Sequence, residues 1–386
     1  MNMKHCYSSD KNNAATIYML RILSVLALVM MSVGCERVSP EEKWVSALST
    51  RIAADYADLF HHSQLLVESA NRFCEAKRQS GDGTVALSAE LSTVQIEWRR
   101  TMGAWQHIQW VRFGPMVENN DDWKIQFWPD KKNIVSRKVQ QILDKENKID
   151  QQVVADASVV VQGLSALELL LFDAEYVALF YQNAKPSERQ CQLIVAIGEQ
   201  LVSTIERVKS QWQDQNYRNS WVATVNQEQE SLAPSALTDV VAAMLTQMEK
   251  LKADKLGGPL GYKNRSKQPN GYFSEGWRSN SSLDNIKTNL LALQILISNQ
   301  DSYDLRRLLD AKDSDAVAND IESSINEILN VVATIDKPLN EAVTDVGSRV
   351  QLEELHLAVG NLNSQLKTRL SPALGITLGF NSNDGD

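Results

Sequence analysis

The chain has 386 residues, with 39 basic against 48 acidic side chains and a formal net charge of −9. This acidic balance excludes a general nucleic-acid binder, which needs a basic surface, so no nucleic-acid partner is expected. Hydrophobic residues make up 43% of the chain, enough for a sizeable core and too many for a largely disordered protein. The 17 glycines and 9 prolines are too few for the frequent turns of a β-rich protein.

The N-terminal segment over 1–34 is predicted to be an export signal. Basic residues up to Arg21 precede an apolar run over 22–33, which is the order found in a secretory signal peptide. The run is too short to span a bilayer, which needs about 20 apolar residues. The small residue followed by Cys35 is similar to a bacterial lipobox, in which the cysteine is lipidated and becomes the mature N-terminus. The alternative is an ordinary cleaved leader with an incidental cysteine, and Met19 is an alternative start.

Export of the chain also determines the expected chemical state of its cysteines, which is either lipidated, disulfide-bonded or free. Lipidation of Cys35 predicts a protein anchored to a membrane of the cell envelope, on the periplasmic face and at the outer membrane. Cys74 and Cys191 then remain, and an oxidising compartment favours a disulfide between them. Closing a loop of about 118 residues would stabilise the fold by up to roughly 4–5 kcal/mol. The alternative is a pair of buried free thiols.

Apolar residues recur every three or four positions along most of the remaining chain, a spacing typical of helices. The predicted helices cover 42–77, 86–112, 150–181, 187–212, 235–255, 281–299, 315–335 and 338–370. Ser187 follows a proline and is the predicted N-cap of its helix. No strand alternation persists, so the predicted fold class is all-α. A polar stretch over 213–234 divides the helices into two bundles, 40–215 and 230–386, which are similar enough in size for an old duplication.

A long irregular stretch follows the helix that ends near residue 255. It covers 257–277 and contains a cluster of glycines, namely Gly257, Gly258, Gly261, Gly271 and Gly276. Structureless loops of this length inside a compact domain are often functional. We therefore expect this stretch to form one wall of the functional site.

The motifs of common enzymes are missing from the sequence, which has no HExxH, no phosphate-binding P-loop and no nucleophile elbow. The informative segment is Gly163-x-Ser165-x-x-Glu168. Ser165 and Glu168 are three residues apart and share one face of a helix. A glutamate in so apolar a run costs free energy unless it is paired or hydrogen-bonded. Glu168 is therefore the candidate buried carboxylate, and the alternative is that it pairs with a structural arginine such as Arg112.

The segment Gly163-x-Ser165-x-x-Glu168 resembles the GxHxxE signature of the imelysin family. Further blocks that resemble this family follow one another in the expected order from about residue 45 to the end. They are Trp98–Trp105 with Arg112–Pro115, Lys255–Gly261, Gly271–Ser274, Ser281–Leu290 and Leu374–Asp386.

The resemblance implies one imelysin-like domain over 36–386, made of two helical bundles. Family members are envelope proteins, several of them lipoproteins tied to iron uptake, and peptidase activity has been assigned to some. The resemblance places the site between the bundles and implies a small ligand or a metal, iron or another divalent cation, with other iron-uptake envelope proteins as partners. The implied ligand-binding residues are Gly163, Ser165, Glu168, Trp98, Arg112, Phe273, Ser274 and Asn289.

The sequence departs from the family signature at its histidine, where Ser165 stands instead. A hydroxyl is a poorer ligand for a transition metal than imidazole, and without a partner it is no general base. Glu168 remains a potential oxygen ligand for a hard cation. These residues favour a ligand-binding protein over an imelysin-type peptidase, and the third alternative is a scaffold whose site has decayed.

Tryptophans are concentrated between residues 98 and 128. Trp98 and Trp105 are expected to pack in the core, while Trp123 and Trp128 lie in an irregular stretch and are candidates for lining a cleft. The alternative for this second pair is packing within an aromatic loop.

Overall fold

The structure is a computed structural model that describes residues 38–79, 84–182, 185–226, 235–299 and 302–376. Every regular element in these ranges is a helix, so the predicted all-α fold class is confirmed. The predicted signal peptide, Cys35 and the end of the C-terminal block lie outside the described residues. Within the described ranges, no helix combines the length and the apolar character needed to cross a membrane.

The helices are numbered here in chain order. They are α1 (Pro40–Gln79), α2 (Thr84–Ile108), α3 (Pro115–Glu118), α4 (Asp121–Ile125), α5 (Ile134–Leu143), α6 (Gln151–Ala155), α7 (Leu164–Phe172), α8 (Ala174–Phe180), α9 (Lys185–Gln213), α10 (Gln215–Ala223), α11 (Ala236–Glu249), α12 (Ser282–Ile297), α13 (Leu305–Asp310), α14 (Asp315–Ala333), α15 (Leu339–Ala342), α16 (Val346–Gln365) and α17 (Ser371–Ala373). Short 3₁₀ turns lie at Val159–Val161, Thr224–Asn226 and Gly271–Phe273. The π-helical segments Lys250–Leu256 and Leu366–Leu370 extend α11 and α16.

The long helix α1 packs against both α2 and α9, and the three helices bury a core of large side chains. Tyr56 and Phe73 of α1 are fully buried because they lie on the apolar stripe that the three- and four-residue spacing creates. A disulfide joins Cys74 at the end of α1 to Cys191 near the start of α9, with the two Cα atoms 5.6 Å apart. The predicted disulfide is therefore present, and the two buried free thiols are not.

The later helices pack around α12, which contacts both α2 and α14. Helix α16 in turn packs on α14 and α11. From Pro40 onward the described helices form one compact unit. The division into two bundles at 213–234, and the old duplication, stay predictions.

The predicted helix over 150–181 is wrong as a continuous element, because the chain there is broken into α6, a 3₁₀ turn, α7 and α8. Asp150 and Asp173 cap two of these pieces by accepting hydrogen bonds from Val153 N and Glu175 N. The apolar spacing runs on through the breaks, so periodicity alone does not locate them.

Other helix boundaries also differ from the prediction. Helix α9 begins at Lys185, so Ser187 lies inside it and is not its N-cap. The predicted helix over 338–370 is interrupted before α16, where Asp345 accepts hydrogen bonds from Ser348 N and Oγ. The short helices α3, α4, α5, α10 and α13 were not predicted, since each is shorter than the window of about 11 residues over which a helical period is counted.

Candidate functional site

Helix α7 carries the motif, and its N-terminus is crossed closely by the chain that leaves α4. A Cβ atom at Gly163 would lie 2.2 Å from Lys124 O and 2.3 Å from Ile125 O, so only glycine allows this approach. Gly163 thus allows close packing between backbone segments and does not line the cavity beside Glu168. The first turn of α7 is fixed against the segment that follows α4.

Ser165 lies one residue into this helix and is engaged by the same segment. Its hydroxyl donates a hydrogen bond to Phe127 O at 2.9 Å. The hydroxyl proton is therefore used to hold the backbone of the aromatic segment Phe127–Pro129 over α7. This contact gives Ser165 a structural task in the place where the family signature has histidine.

Glu168 lies on the same helix face, as predicted, and is 7% exposed. Its Oε1 accepts hydrogen bonds from Ser279 N and Ser279 Oγ, both at 2.9 Å. Arg112 does not pair with Glu168, because its Nη2 lies 3.0 Å from Asp122 Oδ2. Burial raises the pKa of Glu168, against the two hydrogen bonds from Ser279 and the charge of Arg278.

A cavity of about 650 Å³ opens above Glu168. Its aromatic walls are Phe127, Trp128, Tyr272, Phe273 and Trp277, and its polar or charged lining includes Ser165, Glu168, Ser274, Lys131, Lys132 and Arg278. The predicted loop over 257–277 supplies one wall, as expected from its glycines. The hydroxyl of Ser274 is buried and has no hydrogen-bond partner among the described residues, so it is available to a ligand.

A fully buried ion pair lies behind this wall. Lys255 Nζ of the π-helical segment is 2.8 Å from Glu275 Oε2, and both side chains are 1% exposed. Lys255 also donates to Gln106 Oε1 of α2 at 2.5 Å and to Asn289 Oδ1 of α12 at 2.7 Å. The ammonium group thus has three oxygen partners, one for each of its protons.

The carboxylate of Glu275 is equally well supplied with donors. Asn285 Nδ2 and Gln126 Nε2 each donate to it at 3.0 Å, and Trp105 Nε1 donates to Gln126 Oε1 at 2.7 Å. Burial raises the pKa of Glu275, but the charges of Lys255 and Lys250 outweigh it and hold the pKa below its usual value. This network ties α2, α12 and the loop wall together.

The structure brings four of the residues implied by the resemblance into one cavity. Ser165, Glu168, Phe273 and Ser274 all line it. Trp128 lines it as well, in agreement with the cleft interpretation for this tryptophan.

The other implied residues lie elsewhere. Trp98 is fully buried against Phe172 and donates from Nε1 to Leu164 O at 3.1 Å, so it is a core residue. Asn289 belongs to the network around Lys255, and Arg112 lines a neighbouring cavity.

Sequence reasoning missed Ser279 and Glu275. Both lie in irregular chain where no periodic pattern marks a buried position. The one available signal for Glu275 was a charged residue inside a glycine-rich loop, which is equally common at exposed positions.

The side chains around Glu168 are poorly suited to coordinate a metal ion directly. No group of three or more His, Cys, Asp or Glu side chains that could hold a metal ion occurs within the described ranges. Ser165 uses its hydroxyl on Phe127 O, and Glu168 uses Oε1 on Ser279. The carboxylates Asp130 and Asp254 in the cavity lining are engaged by the N-terminus of α5 and by Lys263. This donor set does not fit a bare transition-metal ion.

Glu168→Gln should make the fold more stable at pH 7, by an amount on the order of 1 kcal/mol. Because the folded-state pKa of Glu168 is raised, its stabilising contribution is complete below its ordinary value of 4.5 and is lost as the pH rises through the folded value. Glutamine keeps an oxygen for Ser279 without a charge to desolvate. Urea unfolding at pH 7 and at pH 4 measures the free energy of unfolding of both proteins. A variant that is less stable than the wild type at pH 7, but not at pH 4, would contradict the prediction.

Comparison with known proteins was made on sequence and on structure. The family model described as Imelysin, which carries a peptidase label, matches residues 52–366. No curated protein gives a significant match. An imelysin-like protein from Psychrobacter arcticum 273-4 has a similar solved structure, with 20% identity, a TM-score of 0.72 and coverage of 88% of this chain and 97% of that one.

A second similar structure is that of a "putative iron-regulated protein A precursor" from Parabacteroides distasonis ATCC 8503. It has 14% identity, a TM-score of 0.62 and coverage of 86% of this chain and 96% of that one. At these identities the two structures establish the fold alone, while the family match extends over most of the chain. The chain therefore belongs to the imelysin family.

Proposed function

We propose that the protein is an exported envelope protein that binds a small organic ligand in the cavity above Glu168 and acts in iron uptake or its regulation. The cavity itself is the observation that carries this proposal. Its volume of about 650 Å³ lies in the range of small-molecule sites, which are usually apolar with a few fixed polar groups.

The lining of the cavity matches an organic ligand with ring or sugar faces. Tyr272 and Trp277 pack edge to face with their ring centroids 4.8 Å apart, and the guanidinium of Arg278 lies 4.2 Å from the Trp277 ring. Such pre-packed aromatic surfaces bind apolar faces at low entropic cost. The free hydroxyl of Ser274 and the Oε2 atom of Glu168, which has no hydrogen bond to a described residue, would orient the ligand.

Iron enters this proposal as cargo in the form of a chelate with an organic acid. The donors around Glu168 do not fit a bare ion, whereas a chelate brings its own iron ligands and presents its organic surface to the protein. Lys131 and Lys132 line the cavity without an ion pair to any described residue, so they can attract an anionic chelate. The iron link is supported by the similar structure from Parabacteroides distasonis, a "putative iron-regulated protein A precursor", and by the iron-uptake role that the family resemblance implies.

The proposed location is the cell envelope, with a lipid anchor at Cys35 and other iron-uptake envelope proteins as partners. The disulfide between Cys74 and Cys191 supports an oxidising compartment, because such bonds are rare in proteins that stay in a reducing one.

The geometry of the site disfavours an imelysin-type peptidase. Hydrolysis of a peptide needs a nucleophile or water held by a base. The hydroxyl of Ser165 donates a hydrogen bond to a backbone carbonyl, and no histidine lines the cavity. Proteolysis that disappears in Glu168→Gln would favour the peptidase over the binding protein.

Titration calorimetry with ferric citrate tests the proposal on the full chain exported with its own N-terminal segment. We expect the wild type to bind, and Tyr272→Ala to bind about tenfold more weakly, because Tyr272 is 71% exposed at the cavity and its loss removes one aromatic wall. Tyr181→Ala is the matched control, since Tyr181 is also exposed and does not line the cavity.

Each outcome of the titration addresses one part of the proposal. Equal affinities in Tyr272→Ala and the wild type would remove the cavity as the binding site. Failure of ferric citrate to bind would remove the iron-chelate ligand. Tight binding of ferrous or ferric ion without citrate would show that the metal is coordinated directly, against the donor argument above.

A further inference from the structure

A second cavity of about 530 Å³ lies beside the first, on the other side of Trp128 and Pro129. Residues of α4, such as Trp123, and of the segment after it form one side of the cavity. Residues from Thr246 to Asp254, of α11 and its π-helical extension, form the other. Segments of π-helix occur often at functional sites. This cavity is not used in the function proposed above.

Most charges that line this cavity are already engaged. Arg112 Nη2 is 3.0 Å from Asp122 Oδ2, and Lys263 Nζ is 2.9 Å from Asp254 Oδ1. Glu249 Oε2 accepts a hydrogen bond at 3.0 Å from Asn363, on the neighbouring helix α16. These contacts leave one cation of the lining without a partner among the described residues.

Lys250 is that cation, and it is partly buried without a hydrogen bond or ion pair to any described residue. Burial and the like charges of Lys255 and Arg112 lower the pKa of Lys250 to about 8, against the opposite charges of Glu275 and Asp122. Arg112 engages an acceptor through Nη2, while its other nitrogens have no acceptor among the described residues. Lys250 and Arg112 thus line one cavity as like charges with unused donors, to which an anionic group can hydrogen-bond.

We propose that this second cavity is a binding site for a small organic carboxylate, whose anionic group is held by Lys250 and Arg112. Its organic part packs on the indole rings of Trp123 and Trp128, of which Trp123 is 38% exposed. A carboxylate accepts a forked pair of hydrogen bonds from a guanidinium and further bonds from an ammonium group. Lys250 and Arg112 line this cavity alone, whereas Trp128 also lines the cavity above Glu168.

Benzoate is the probe, and benzamide is its neutral counterpart of the same shape. Calorimetry on the full chain should show benzoate binding with a Kd of about 1 mM or tighter, while benzamide binds at least about tenfold more weakly. Lys250→Gln should weaken benzoate binding by about tenfold or more, because a charged donor is lost. Lys252→Gln is the matched control on the same segment, since Lys252 lies against Gly360 and does not line the cavity.

The pH dependence of benzoate binding distinguishes a direct contact with Lys250 from a purely structural role of this residue. Benzoate affinity in the wild type should fall as the pH rises above about 8, where free Lys250 loses its proton. Lys250→Gln should lack this dependence, because the side chain that loses its proton near that pH is gone.

The proposal is overturned if benzoate does not bind, if benzamide binds equally well, or if Lys250→Gln binds benzoate like the wild type. Benzoate binding in the second cavity can be distinguished from ferric citrate binding in the first. Tyr272→Ala should bind benzoate normally even where it loses ferric citrate, because Tyr272 does not line the second cavity.

Discussion

Replacing Lys255 with methionine should lower the free energy of unfolding by about 3–5 kcal/mol, because it leaves the carboxylate of Glu275 buried without its counter-ion. Methionine fills similar volume, so the loss reports charge and hydrogen bonding more than packing. Urea or guanidinium unfolding monitored by circular dichroism measures the change. The matched control is Lys263→Met, which breaks an ion pair with Asp254 that is open to solvent and should cost at most about 1 kcal/mol.

The pH profile of the same variants separates the ion pair from general damage. The pKa of Glu275 is held below its usual value, so its contribution to stability is present above the unfolded value near 4.5 and is lost as the pH falls through the folded value. Without Lys255, burial dominates and the carboxylate takes up a proton more readily, so Lys255→Met should gain relative stability as the pH falls.

A double variant provides the decisive comparison. Lys255→Met combined with Glu275→Leu removes both charges and should recover much of the stability lost in the single variant. If the single and double variants are equally unstable, the ion pair is not the cause. If Lys255→Met is as stable as the wild type, Glu275 does not need its partner.

The ion pair also bears on the cavity above Glu168. Glu275 immediately follows the cavity residues Phe273 and Ser274, and Lys255 holds it against α2 and α12. The wall of the cavity is thus fixed by a buried polar network in addition to the apolar packing of residues such as Leu260. Such a network specifies one geometry when it is fully satisfied, which is what a preformed ligand site needs.

The sequence predicted the structure best where the regular spacing of apolar residues determines a helix. Long helices such as α1 and α9 followed directly from their apolar stripes, since one buried face fixes a helical period. Ser165 and Glu168 were placed on one face for the same reason. The partners of these residues were not accessible: Ser165 bonds to a carbonyl 38 residues away and Glu168 to a serine 111 residues away.

The polar network shows why the rest of the site could not be predicted. Lys255 and Gln106 are 149 residues apart, and each is unremarkable in its own segment. A buried lysine and an exposed lysine have the same local sequence signal, and only tertiary packing distinguishes them. The motif resemblance pointed to the segments that meet, but it also included Trp98, which the fold buries in the core.

Cys74→Ser combined with Cys191→Ser should lower the free energy of unfolding by about 4–5 kcal/mol, the value expected for opening a loop of this length. The bond joins residues 117 positions apart, so it constrains a large part of the unfolded chain. Cys74 and Cys191 are 8% and 7% exposed, and a reductant should therefore act mainly on unfolded molecules. Unfolding in urea with and without reductant measures the effect, and the double serine variant, which has no bond to reduce, is the control.

The same measurement bears on where the protein works. If reductant leaves the midpoint of the wild type unchanged after long incubation in urea, the disulfide does not contribute to stability and the argument for an oxidising compartment weakens. If reductant moves the wild type to the midpoint of the double serine variant, the fold has its full stability only where the bond forms. A chain produced in a reducing compartment would then have the lower midpoint, and the exported chain the higher one.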